Sequence, residues 1–254
     1  MYAEHTQNQR DYSDLIASGR SSEAIDYRGS PVHEHIRDLP VRRLIDLLRR
    51  ENISLDGKRV LIVGCGIGTD IYYLRRYADP KIYGTDISPE NISITRKFFP
   101  LEGAEVADTE ALPYPDDHFD FALVCDSLHH MARPYLGIYE MLRVAKEGIG
   151  IIEPHECALT RLAMRVGLMH EYEEAGNYVL TFNRRDLTRL VKSFHLDAGA
   201  TSLFATDFGL FERLPLALRR LLFPVFRMGT AILNGIVPGQ GNVFVGAVFK
   251  RKKD

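Results

Sequence analysis

Three glycines on alternate positions, Gly64, Gly66 and Gly68, come after the apolar run Val60-Leu61-Ile62-Val63 and precede Ile71-Tyr72-Tyr73-Leu74. The apolar run reads as a buried parallel strand, and the residues after the glycines read as a helix. Glycine lets bare backbone approach a ligand, and a helix start offers unpaired N–H groups to an anion. Together they predict a nucleotide-type crevice at the carboxyl end of a first strand. About twenty residues on, Lys81-Ile82-Tyr83-Gly84-Thr85-Asp86-Ile87 is a short strand ending in an acid, the spacing expected of a carboxylate that accepts from ribose hydroxyls. Ser88-Pro89-Glu90 looks like a helix start, so Ser88 can cap while Asp86 faces the ligand. Proton transfer could fall to His129, His130, His155 or Glu156, which come after later strands.

The nucleotide is narrowed by the third glycine. A dinucleotide fingerprint needs a small residue five positions after the first glycine, and here that place is Thr69. The Gly-Cys-Gly-Ile-Gly run instead resembles the first motif of the class I S-adenosylmethionine (SAM) methyltransferases. Val106 to Val124, with Asp108-Thr109-Glu110-Ala111-Leu112-Pro113 and Phe119-Asp120, resembles that family's third and fourth strands. Leu128-His129-His130 is similar to the family's turn after strand four. Met141-Leu142-Arg143-Val144 and Gly148 to Pro154 are similar to its next helix and to strand five. The likeness runs from about Val41 to Pro154.

The resemblance implies a doubly wound α/β sheet of seven strands, mostly parallel with an antiparallel last strand, helices on both faces and helical cap insertions. It implies SAM as cofactor, held by Gly64, Cys65, Gly66, Gly68, Asp86, Ile87, Asp108 and Thr109, with Asp108 on the adenine amino group. The family usually has an acid two positions before the first glycine; here it is Ile62. The amino group of the cofactor then needs another partner, such as strand-end carbonyls near Cys125 or the Asp126 carboxylate.

The methyl donor carries its own activated group, so the protein mainly aligns a nucleophile. A hydroxyl acceptor gains from a general base; His129 is the first candidate and His155 the second. The function expected is methyl transfer to a small-molecule acceptor, more readily oxygen than nitrogen. A SAM-binding protein without transferase activity is the alternative that Ile62 motivates. A nicotinamide-dependent oxidoreductase is disfavoured by Thr69 and by the Leu-Pro loop.

The elements that must position these groups are set by the rest of the chain. With 254 residues and a 45% hydrophobic share, one α/β domain with additions is expected. A net charge of −2 provides no field for nucleic acid. Cys65, Cys125 and Cys157 have no metal-like spacing and read as thiols in a reducing, cytoplasmic compartment; no metal is expected. Met1 to Asp14 is polar, with no apolar core of a signal peptide. Residues 1–38 read as an arm or lid, for which Tyr12, Tyr27, Arg28, His33 and His35 are available. Residues 39–254 read as the catalytic domain, opening with a helix over Leu39 to Arg50. Insertions near 155–180 and 208–241 read as caps. His170 and the acids after it read as a solvated rim.

Strand six is expected over Thr201 to Thr206 and strand seven over Val243 to Phe249. The long stretch between them admits three readings: an apolar wall over the acceptor, a surface docking on a membrane or partner protein, or a packed helix pair. Arg219, Arg220, Arg227 and Asn234 interrupt it, so no membrane span is expected.

Overall fold

A computed structural model describes residues 2–18, 31–167, 171–173, 175–205 and 214–250. Its centre is a sheet of seven strands, β1 (Arg59–Val63), β2 (Lys81–Asp86), β3 (Gly103–Val106), β4 (Phe119–Cys125), β5 (Ala145–Pro154), β6 (Asp197–Leu203) and β7 (Val243–Phe249). Their order is β3-β2-β1-β4-β5-β7-β6. The first five pair in parallel, and β7 runs antiparallel between β5 and β6. This is the doubly wound class I architecture that the sequence implied. The order reverses direction at β1 and β4, and the crevice of such a sheet opens there, at the carboxyl ends.

Alternation along β1 divides the core. Val60 and Ile62 face one cluster, with Val41, Leu44, Ile45 and Leu48 of helix α2 (Pro31–Arg50) and Ile71 and Leu74 of α3 (Thr69–Leu74). Leu61 and Val63 face the other, with Ile138, Met141 and Leu142 of α5 (Pro134–Val144) and Leu187 and Val191 of α7 (Arg184–Lys192). Burial on both faces explains why β1 is an unbroken apolar run. Ile62 is thus a core residue, packed on the side that carries α2 and α3.

Several elements differ in extent from the sequence reading. The helix expected from Leu39 begins at Pro31 and runs through Pro40, so position 38 lies inside it. A proline normally ends a helix, but Val32 before it and Val41 after it are both buried, and packing carries the helix across. Strand six comes earlier than expected, over 197–203. Its small and polar residues hide the pattern, and its register is set by β7, with Leu203 opposite Val243. In α4 (Pro89–Phe98) the Ser88 hydroxyl accepts from the Asn91 N–H, as expected of a cap. Residues 1–38 contribute α1 (Tyr2–Ala17) and the start of α2, and a short helix α6 (Ala158–Arg165) follows β5. Tyr27, Arg28, His170 and residues 206–213 lie outside the described residues, as does the side chain of His33.

Phe121 is fully buried in mid-sheet. Phe121→Ala should cost about 3–5 kcal/mol, read as a lowered denaturation midpoint with an unchanged slope in urea.

Candidate functional site

The glycine turn is built by backbone conformation. Gly64, Gly66 and Gly68 all have positive φ, at 57°, 52° and 87°, a region that side-chain-bearing residues rarely occupy. A Cβ on Gly64 would lie 1.8 Å from Ser127 Oγ, and one on Gly68 would lie 2.4 Å from the Phe99 ring. The turn is tied down by its neighbours. The Gly66 N–H donates to Asp86 Oδ2 at 2.8 Å, and the Thr95 hydroxyl donates to the Gly66 carbonyl at 2.8 Å.

Asp86 is therefore cap and strut at once. Its Oδ1 accepts from the Ser88 N–H at 2.9 Å and from Asn91 Nδ2 at 3.0 Å. Burial pushes its carboxyl up, against the pull of those three donors. A carboxylate has about four lone-pair sites, so one direction is left for a ligand, and Asp86 does border the crevice. That crevice holds about 560 Å³ of empty space including its mouth, walled by Gly64, Asp86, Ile87, Asp108, Thr109 and Ser127. Asp108 also caps the short turn after it, accepting from the Glu110 N–H at 2.9 Å.

Of the expected cofactor residues, Gly64, Asp86, Ile87, Asp108 and Thr109 border this hollow, and Cys65, Gly66, Gly68, Cys125 and Asp126 do not. The Cys65 side chain turns into the core, and burial pushes its thiol up. The sequence reading expected an arm or lid in residues 1–38 but named none of the residues of that segment that line the crevice, among them His5, Gln9 and Ser13, on one face of α1. His5 Nε2 lies 2.8 Å from the His130 carbonyl, Gln9 Nε2 donates to the Ala175 carbonyl at 3.2 Å, and Arg10 Nε donates to that of Ile87 at 3.2 Å. Ser88 Oγ donates to Asp14 as well. The i, i+4, i+8 spacing of His5, Gln9 and Ser13 was the available signal.

Beyond the glycine turn, Arg37 of α2 pairs with Asp126, which comes after β4 with a positive φ of 46°. Asp70 of α3 joins them. Desolvation raises its carboxyl to about 6; Arg37 pulls the other way, Asp126 adds to the rise, and a hydrogen bond with Cys125 lowers it. Arg37 and Asp70 sit on α2 and α3, the helices that cover the Ile62 side of the sheet. Neither was expected in the site; the only sequence signal was the position of Asp70 two residues after Gly68.

The histidines separate. His129 is buried, with Nδ1 2.6 Å from Glu153 Oε2 and Nε2 3.4 Å from Glu173 Oε1. Burial alone would lower its pKa, but Glu153 and Glu173 outweigh it and raise it to about 10. At neutral pH the ring is a cation whose two N–H groups both face carboxylates, and it has no lone pair to accept a proton. His129, expected as the general base, has both ring nitrogens facing carboxylates and does not border the hollow. Glu153, fully buried, also accepts from the Ser127 and Leu128 N–H groups at 2.8 and 2.7 Å. His130 borders the crevice; burial and the His129 charge lower it to about 4, and it donates from Nδ1 to Gln9 Oε1 at 3.0 Å. His155 Nδ1 lies 2.7 Å from the Gly241 carbonyl, an acceptor only. The ring N–H must sit there, which leaves Nε2 as an acceptor. His155 does not border the hollow.

Residues 61–152 match the family described as "Methyltransferase domain". That stretch is about a third of the chain, and its likeness is to class I SAM-dependent methyltransferases. The chain is 37% identical over 98 residues to a fatty-acid O-methyltransferase of Mycolicibacterium smegmatis, covering 37% of this chain and 36% of the relative. It is 35% identical over 101 residues to the ajmaline N-methyltransferase of Rauvolfia serpentina, covering 37% and 35%. The matches thus span little more than a third of these curated relatives. Magnesium protoporphyrin IX methyltransferase from Synechocystis PCC 6803, solved with bound S-adenosylhomocysteine, shares the fold over 95% of this chain and 98% of its own, with a TM-score of 0.61 and 15% identity.

The cation at His129 makes a signed prediction. Its pKa stands above the ordinary 6.5, so its contribution to stability is fully present below about 6.5 and is lost as pH rises toward about 10. Denaturant unfolding monitored across that window should show the loss in the wild type, and His129→Gln should flatten it.

Proposed function

We propose that this chain is a methyltransferase that uses SAM to methylate a small-molecule acceptor, at oxygen, by in-line displacement. Two groups of residues near the carboxyl ends of β1 and β4 support the reading. One is the Gly64–Asp86–Asp108 hollow under α1, which suits an adenosine. The other is the Arg37–Asp70–Asp126 cluster, with both signs of charge for the carboxylate and ammonium of a methionyl group.

When bound, the cofactor supplies a methyl group already activated by a sulfonium. Asp86 would accept from its ribose, Asp108 from its adenine amino group, and the Gly64 turn would let backbone pass close beneath. Gly66, Gly68 and Cys65 shape that turn from below. Asp70 and Asp126, beside Cys125, would receive the ammonium that the family's missing acid usually holds; Arg37 would receive the carboxylate. His129 positions the turn after β4 through Glu153. His155, outside the hollow and with Nδ1 on the Gly241 carbonyl, would take a proton from a hydroxyl through Nε2. A carboxylate acceptor would need no base, and the activity of the M. smegmatis relative, on a fatty acid, supports oxygen. The ajmaline relative keeps nitrogen as the second reading. Binding without transfer is a further reading, favoured by the full engagement of His129. The three thiols form no disulfide, which supports a reducing, cytoplasmic setting, and the net charge of −2 supports a partner other than nucleic acid.

Calorimetry should show SAM and S-adenosylhomocysteine binding and NAD not; preference for NAD overturns the assignment. Affinity for SAM should fall as pH drops through about 6, because protonated Asp70 no longer attracts an ammonium. Asp70→Asn should bind about tenfold more weakly and lose that pH dependence. With labelled SAM and a metabolite extract, a labelled product is expected; tight binding without any product favours the passive binder. His155→Ala should slow turnover while leaving SAM affinity unchanged.

A further inference from the structure

Helix α8 (Leu216–Ile236) is turned inside out relative to an ordinary surface helix. Two of its uncharged polar residues, Thr230 and Asn234, point inward. Thr230 is buried with its hydroxyl 3.4 Å from His35 Nε2 on α2, and Asn234 both accepts from the Phe204 N–H at 2.7 Å and donates to the Phe204 carbonyl at 3.3 Å. Phe223 and Phe226 meet the His35 ring edge-on at 5.8 and 6.1 Å. The outward stripe is apolar throughout: Leu218, Leu221, Val225, Met228, Ile232 and Ile236, at steps of three and four residues. Leu221, Val225 and Ile236 are 72%, 61% and 74% exposed. A surface helix normally shows the reverse arrangement, and a continuous exposed stripe of this kind marks an interaction surface.

Charge selects the partner. The twenty-one residues of α8 carry Arg219, Arg220 and Arg227 and no acid, in a chain whose net charge is −2. Arg220 and Arg227 are both exposed and lie on one flank of the helix, two turns apart. Pairing with a second copy across a two-fold axis would bring two such sets of arginines together, with no carboxylate on either helix to offset them. An anionic lipid surface offers what the helix lacks: acyl chains for the stripe and headgroup phosphates for the guanidiniums. Among the described residues no helix is long and apolar enough to cross a membrane, so α8 lies along the surface. We propose that α8 docks this protein on anionic membranes, with Leu221, Val225 and Ile232 in the acyl boundary and Arg220 and Arg227 at headgroup level. Nothing in this surface depends on methyl transfer.

Flotation of the full chain with phosphatidylcholine vesicles, with and without phosphatidylglycerol, tests this. The chain should float with the anionic vesicles and be released as salt rises. Leu221→Ser/Val225→Ser should lower the partition constant by about tenfold or more, the loss expected on withdrawing two branched side chains from lipid. Its thermal midpoint should be unchanged, because both positions are exposed. Arg220→Ala/Arg227→Ala should abolish the preference for phosphatidylglycerol. A chain that stays unbound with anionic vesicles overturns the proposal. So does a dimer in sedimentation equilibrium that Leu221→Ser/Val225→Ser dissociates, since the stripe would then be covered by a second copy.

Discussion

The carboxylate of Glu153, sealed inside the molecule at the end of β5, holds the crevice together. One oxygen takes two consecutive backbone N–H groups, of Ser127 and Leu128, and the other takes the His129 ring. A buried carboxylate without such donors would be severely destabilising. With them, the chain leaving β4 can take only one course. That course sets Ser127 against Gly64, places His130 at the rim and fixes where α1 can land. A neutral residue at 153 would leave two main-chain donors and an imidazolium without partners in a dry interior.

Charge also gathers near the glycine turn, by a different route. Ile62 belongs to a strand that packs on both faces, and a carboxylate there would stand beside Leu44 and Ile71 in the first cluster. The protein instead brings an acid from the start of α3 and a base from α2 to the same neighbourhood. Both come from helices packed on that face of the sheet. The glycine turn makes this possible, because Asp70 comes so soon after Gly68 that the helix begins at the crevice itself.

Much of this was legible in the chain. The order of strands, the glycine turn, the Ser88 cap and the acid after β2 could be read because each is local: a period, a spacing or a cap written in a few consecutive residues. The extent of α2 was not, because Pro40 signals a boundary that distant packing overrides. β6 was misplaced because an edge strand of small residues has no face pattern. The state of His129 could not be read either, since it is decided by Glu153 and Glu173, which lie 24 and 44 positions further along the chain. Arg37 meets Asp126 across 89 positions. Adjacency of that kind is a property of the fold, not of any motif.

The roof over the hollow fastens mainly to main-chain oxygens. His5, Gln9 and Arg10 reach the carbonyls of His130, Ala175 and Ile87, and every residue type presents that same atom. Side chains at 87 and 175 can therefore drift during evolution without unfastening the cover, whereas changes at 5, 9 and 10 act on it directly. Besides these carbonyls, His130 and Ser88 answer α1 with side chains of their own, and an inherited change in how tightly the hollow is shut would be written chiefly in the first fourteen residues.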